Sequence, residues 1–337
     1  MVTVGIIGAG RIGKVHAESI SNYVKNATVK TIADPFMNEA TEAWAASMGI
    51  AHTTKDYKEI LADPEIDAVL ICSSTDTHAP ISIEAIEAGK HVFCEKPIDH
   101  DIEKIKAVMK ALEGKTTKYQ VGFNRRFDHN FRAVQQAVKS GKIGDPHIIK
   151  ITSRDPEPPS PEYVAVSGGM FLDMTIHDFD MVRFLAGCDA EEVYVQSAVL
   201  VDPAIGEAGD VDTAVITLKM ENGAIAVIDN SRKAIYGYDQ RAEVFGSNGM
   251  VMNANDCQSN ITIANADGVT GEKPMFFFLE RYMAAYAQEI TEFVNAIEQD
   301  TEVPCGVVDG LKPVLMGLAA KKSVLEHRPV KISEIVF

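Results

Sequence analysis

The chain has 337 residues, about twice the roughly 150 of a typical domain, so two domains are expected and a small staple-dependent scaffold is excluded. Apolar residues make up 46% and charged residues 24%, a composition that buries a core and is not that of a disordered chain. With 32 basic and 48 acidic side chains the net charge is −16, which opposes a phosphate backbone and argues against nucleic acid as a partner.

No apolar run approaches the ~18 residues of a membrane span, and Met1-Val2-Thr3 leads into a strand with no basic leader, so a cytoplasmic protein without a membrane partner is expected. The five cysteines, Cys72, Cys94, Cys188, Cys257 and Cys305, are scattered and never form C-x-x-C. They read as reduced, mostly buried thiols, and no metal is expected.

In chain order, the first ~120 residues alternate short apolar runs with amphipathic stretches, the rhythm of βαβ units and a parallel sheet. Strands are predicted at Val2–Ile7, Ala27–Ala33, Ala68–Cys72, His91–Cys94 and Tyr119–Gly122, with helices at Ile12–Tyr23, Asn38–Met48, Thr77–Ala88 and Ile102–Leu112. Beyond Phe123 the rhythm changes. A helix at Phe131–Ser140 and a strand at Pro146–Ser153 precede a proline cluster, Pro156 to Pro161, that reads as loop. A helix begins near Leu172. Strands then follow one another at Val193–Leu200, Thr213–Met220, Ala224–Ser231, Arg241–Phe245, Met250–Met252 and Asn260–Ala264, with Asn222-Gly223 and Asn248-Gly249 as hairpin turns. Two helices, Leu279–Gln299 and Gly310–His327, close the chain. The fold class is therefore α/β: a doubly wound parallel sheet of Rossmann type over residues 1–122, then an α+β domain on a mainly antiparallel sheet over 123–337.

Gly8-Ala9-Gly10-Arg11-Ile12-Gly13 fits G-x-G-x-x-G directly after the first strand and at the opening of a helix, the context in which the motif binds a dinucleotide. Gly8 serves the tight turn, Gly10 the approach of a diphosphate, and Gly13 the packing of helix on sheet. The diphosphate is expected at the positive end of the helix dipole, with Arg11 and Ile12 among the cofactor-binding residues. Asp34 ends the second strand 21 positions after Gly13, where a carboxylate accepts from both ribose hydroxyls. NAD is thereby expected over NADP, since a 2′-phosphate would meet a like charge with no arginine or lysine nearby.

Ser73-Ser74-Thr75-Asp76-Thr77-His78 follows another strand at its carboxyl end, where Ser73, Ser74, Thr75 and His78 are candidates for the cofactor. Capping of the next helix is the competing role of these residues. Glu95-Lys96-Pro97 brings an ammonium to the same crevice. In the second half Asp173, His177 and Asp180 fall at i, i+4 and i+7 of one predicted helix, so a carboxylate lies one turn from an imidazole, as a general base requires. A solvent-facing stripe has the same spacing.

Taken together, the glycine fingerprint, Glu95-Lys96-Pro97 and the Asp173/His177 segment resemble the Gfo/Idh/MocA oxidoreductase family over nearly the whole chain. Gly122 to Asp128, Ser153-Arg154-Asp155-Pro156, Ser167 to Phe184 and Ser231 to Arg241 resemble its inositol 2-dehydrogenases. The resemblance implies NAD-dependent oxidation of myo-inositol to 2-keto-myo-inositol, in a homotetramer built through open-faced sheets. It assigns Lys96, Asp173 and His177 as catalytic, with Glu95 and Lys96 at the cofactor crevice, and offers Asp155 and Tyr236 as further contacts to the polyol. Asn124 and Arg125, just past the strand that ends at Gly122, are candidates for the same role by position. A structural role is the competing reading for all four: an arginine in a domain interface, Asp155 in a turn, Tyr236 as a packed aromatic. Another inositol isomer, an aldose, or a non-catalytic NAD sensor are the alternatives.

Overall fold

The alternating pattern of the first 120 residues folds as parallel strands joined by helices. The computed structural model describes residues 1–335. Among the described residues, β1 (Val2–Ile7), β2 (Ala27–Ala33), β3 (His52–Thr54), β4 (Ala68–Ile71), β5 (His91–Glu95) and β6 (Tyr119–Gly122) form one sheet ordered β3-β2-β1-β4-β5-β6. Every neighbouring pair is parallel. Burial on both faces explains why β1, β4 and β5 read as nearly unbroken apolar runs. β3 escaped prediction because His52-Thr53-Thr54 is a short, polar edge with no apolar period.

Two compact units result, and the first combines residues 1–127 with 283–312. In its core Val4, Ile6, Ile32, Leu70 and Phe93 pack with Ile290, Phe293 and Val294 of the helix Met283–Glu298. The predicted helix Leu279–Gln299 is interrupted: Phe278–Arg281 ends at Tyr282 before Met283–Glu298 begins.

The second unit combines residues 128–282 with the chain from Pro313. It contains β7 (Pro146–Arg154), β8 (Ala190–Ala198), β9 (Thr213–Met220), β10 (Ile225–Ser231), β11 (Asp239–Gly246), β12 (Gly249–Met252), β13 (Thr262–Asn265), β14 (Gly268–Gly271) and β15 (Val330–Lys331). Its large sheet is ordered β12-β11-β7-β10-β9-β8-β15, and only β7 and β10 pair in parallel. Asn222-Gly223 makes the predicted turn between β9 and β10, with Gly223 at φ +86° and Asn222 Oδ1 accepting from Ala224 N at 3.0 Å. The predicted strand Asn260–Ala264 is corrected to β13, which pairs with β14 in a separate exposed hairpin.

Alternation in the large sheet separates two faces. Ile149, Ile151, Ala226, Ile228, Ala242 and Val244 are buried, and the helices His129–Lys139 and Ile176–Ala186 pack against β11 and β7. Ile148, Val215, Ile225 and Phe245 face outward and are exposed, so the sheet is open on that side.

The single helix expected to carry Asp173, His177 and Asp180 is broken. Gly169–Asp173 stops, Met174 and Thr175 turn, and Ile176–Ala186 begins. The reason lies with Thr175, whose fully buried hydroxyl donates to Asn230 Oδ1 at 2.6 Å and whose N–H reaches back to Met170 O at 2.8 Å. A threonine bonded outside its own helix competes with helical continuation.

Candidate active site

The glycine turn is shaped by close contacts. A Cβ on Gly8, at φ +104°, would lie 2.6 Å from the Cys72 carbonyl, and one on Gly13 would lie 1.9 Å from Gly8 O. Neither position tolerates a side chain. Gly10 differs: it is the N-cap of the helix Arg11–Tyr23, makes no side-chain cap, and a Cβ there would meet nothing within 4 Å. Free space in front of an uncapped helix start, with its N–H groups outward, suits a diphosphate. These residues therefore fit a dinucleotide.

Asp34 stands at the end of β2 beside that turn. Its Oδ2 accepts from Ala9 N at 2.7 Å and its Oδ1 from Phe36 N at 2.8 Å, which ties the glycine loop to the β2 end. Lone pairs remain on both oxygens for hydroxyl donors. After β4, the Ser73 and Thr77 hydroxyls pair at 2.6 Å. The next helix starts at Thr75, two residues before the predicted start, and its N-cap Ser74 makes no side-chain cap.

His78 is turned inward, 2% exposed, with Nδ1 at 2.8 Å from Pro97 O and Nε2 at 3.1 Å from Ser73 O. Carbonyl oxygens only accept, so both contacts are hydrogen bonds when both ring nitrogens carry protons. Burial opposes that charge, but the Cys94 sulfur and the Pro97 and Ser73 carbonyls outweigh it and push the imidazole up to about 9. Glu95 is buried, Lys96 half-buried, and Lys96 N donates to Glu95 Oε2 at 3.3 Å. Asn124 and Arg125 follow β6 in the short turn Asn124–Phe127, and both are buried.

In the second unit, Asp173 ends its short helix with both carboxylate oxygens engaged. Tyr163 Oη donates to Oδ1 at 3.0 Å and Arg232 Nη2 to Oδ2 at 3.3 Å. The other arm of Arg232 donates to Asp155 Oδ2 at 3.2 Å, so one buried guanidinium joins two of the expected site residues. Burial opposes the Arg232 charge, but Asp173 and Asp155 outweigh it and hold the group above its ordinary value. His177 follows across the turn, half-buried, with its N–H on Met174 O. Asp180 is buried near Arg183, so it does not share a wet stripe with His177. The Tyr236 hydroxyl donates to Asp239 at 2.6 Å and accepts from Arg154 at 3.1 Å.

Sequence reasoning missed Arg232 and Tyr163 as partners of Asp173. Their positions, 59 and 10 residues from it, form no local motif.

Residues 2–123 match the model of an oxidoreductase family with an NAD-binding Rossmann fold, and residues 131–252 match the Gfo/Idh/MocA C-terminal domain. The inositol 2-dehydrogenase of Rhizobium meliloti is 47% identical over 98% of this chain and 99% of its own. The chain belongs to the Gfo/Idh/MocA oxidoreductase family. Another relative in the family, the myo-inositol 2-dehydrogenase of Thermotoga maritima, is 44% identical over 99% of both chains. The scyllo-inositol dehydrogenase of Lactobacillus casei, solved with NAD(H) and scyllo-inositol, superposes with a TM-score of 0.92 at 31% identity and covers 99% of both chains. The expected family, α/β fold and NAD cofactor are borne out. Among the described residues no helix is long and apolar enough to cross a membrane.

Proposed function

We propose that this oxidoreductase oxidises myo-inositol to 2-keto-myo-inositol with NAD⁺, using His177 as general base. The observation that carries the reading is the near-complete match to proteins named inositol 2-dehydrogenase at 44–47% identity.

When bound, NAD⁺ accepts the hydride of the carbinol carbon. The turn Gly8, Gly10, Gly13 and the N–H groups of Arg11 and Ile12 hold its diphosphate, Asp34 its adenosine ribose, and the hydroxyls of Ser73, Ser74 and Thr75 its remaining polar edge. His78 and Glu95 brace this crevice from behind, through the Ser73 and Pro97 carbonyls and the Lys96 N–H. His177 takes the hydroxyl proton, Lys96 holds the reacting oxygen, and Asp173 supports the imidazolium that forms. Asn124, Arg125, Asp155 and Tyr236 contact the other hydroxyls. In this reading residues 1–122 carry the dinucleotide, and residues 123–337 carry the polyol and the subunit contacts. Apolar side chains on the open sheet face support assembly as a homotetramer, working in the cytoplasm.

Steady-state reduction of NAD⁺ with myo-, scyllo- and chiro-inositol, glucose and galactose tests the proposal. The highest kcat/KM is expected with myo-inositol. Preference for scyllo-inositol would reassign the isomer, and no reduction with any polyol would leave an NAD-binding sensor. His177→Ala is expected to abolish turnover while keeping NADH binding, and unchanged turnover would remove His177 from the mechanism.

A further inference from the structure

Behind the turn that carries Lys96, three buried titratable groups of the first unit converge. His16 comes from the helix Arg11–Tyr23, Glu95 from the end of β5 and Glu289 from the helix Met283–Glu298, and one side-chain nitrogen or oxygen of each lies within 4.8 Å of those of the other two. Glu95 is the hub. Its Oε1 is 2.7 Å from His16 Nε2 and its Oε2 accepts the Lys96 N–H at 3.3 Å. A Cβ on Gly122 would come 3.1 Å from the Glu95 carboxyl atoms, so glycine there leaves the carboxyl its space.

Glu289 is the opposite case. Its backbone carbonyl accepts from Gln120 Nε2 at 2.9 Å, but both side-chain oxygens are fully buried without a hydrogen-bond partner. Two ionised carboxylates cannot share so small and dry a volume, and the proton goes to the one that lacks donors. Burial and then the Glu95 charge push the Glu289 carboxyl well above the usual carboxylate range.

We propose that Glu289 is a neutral carboxylic acid that stores one proton beside Glu95, leaving Glu95 as the single anion that seats the Lys96 turn. Glu289 is thus a positioning residue acting through Glu95, and its effect on turnover rests on the role proposed for Lys96. Beside the cluster lie the buried Cys72 thiol after β4 and the ring of Tyr286 edge-on to His16, and the turn that carries the buried Arg125 and Arg126 packs on the Glu289 helix. Arg126 is paired with Asp309 at 2.9 Å. Loss of the Glu289 proton at alkaline pH puts two like charges together and loosens the seat of Lys96.

Infrared difference spectroscopy of the full-length protein tests the stored proton without any substrate. A carboxylic-acid C=O band at neutral pH, lost on alkalinisation and missing from Glu289→Gln, is expected. The wild-type titration needs no variant, so it stands even where Glu289→Gln does not fold. Absence of the band overturns the proposal, and so does stoichiometric uptake of Zn²⁺ or Mn²⁺ that Glu289→Gln abolishes, because a metal site needs this carboxyl ionised. For turnover, the alkaline fall of wild-type kcat is expected to be missing from Glu289→Gln, with KM for NAD⁺ following the same course in both. Coincident alkaline limbs overturn the positioning role. Failure of the dehydrogenase reading would show separately, as no NADH formed by the wild type with any polyol.

Discussion

Arg232 reaches Asp173 with one arm of its guanidinium, 3.3 Å from Nη2 to Oδ2, while remaining only 4% exposed. The other arm holds Asp155 at 3.2 Å, so the planar fork fixes the spacing of two carboxylates that would otherwise repel. Removing one partner of a buried ion pair leaves uncompensated charge, at a cost of about 3–5 kcal/mol. Arg232→Ala is accordingly expected to lower stability by an amount in that range and to reduce kcat. Adding Asp155→Asn should restore part of the stability, since it removes one of the two stranded charges. Urea unfolding of the single and double variants measures this, and strict additivity of the two changes would show that the guanidinium does not couple them.

Gly10 and Gly13 serve different ends, and alanine separates them. At Gly13 the new methyl would meet Gly8 O at 1.9 Å, inside backbone, and overpacking there should cost about 1–3 kcal/mol or more. At Gly10 it would project into open space, so the loss of stability should stay within about 1 kcal/mol, that of a weaker N-cap. Affinity for NADH should nevertheless fall about tenfold or more in Gly10→Ala, because the methyl occupies the approach of the diphosphate. Thermal melts with NADH titrations check both. Unaltered NADH affinity in Gly10→Ala would place the diphosphate elsewhere.

Much of the fold was legible because its signals are local. Gly8, Gly10 and Gly13 after β1, Asp34 at the end of β2 and Asn222-Gly223 between β9 and β10 each announce a turn through neighbouring residues. What failed to show was decided by partners distant in sequence. Thr175 breaks the expected helix because its hydroxyl finds Asn230, 55 residues on. Arg232 and Glu289 gain their meaning when β10 ends beside Asp173 and when a late helix returns to β5. Neither type of contact leaves a period in the sequence.

Asp34 offers a test of cofactor choice. Its carboxylate would repel a 2′-phosphate, while serine could still accept the Ala9 N–H that ties the loop. Phe36 is 85% exposed, so an arginine there can be introduced without opening the core. Asp34→Ser with Phe36→Arg is expected to lower the NAD/NADP ratio of kcat/KM by about tenfold or more. Parallel initial rates with the two cofactors decide it, and an unchanged ratio would count against Asp34 as the ribose ligand.

His78 gives the fold a pH dependence of definite sign. Its imidazole is pushed from 6.5 up to about 9 in the folded chain, with burial opposing the charge and Cys94, Pro97 and Ser73 prevailing. A base whose folded value lies above its unfolded value stabilises the fold fully below about 6.5 and loses that contribution as the pH rises through about 9. The span corresponds to about 3 kcal/mol at most. Wild-type stability should therefore decline between these limits more steeply than that of His78→Gln, whose amide cannot take up a proton. Urea unfolding at intervals across the range isolates the term as the difference between the two proteins. Parallel curves would mean that one of the two carbonyl contacts is made without a proton and that the imidazole is neutral.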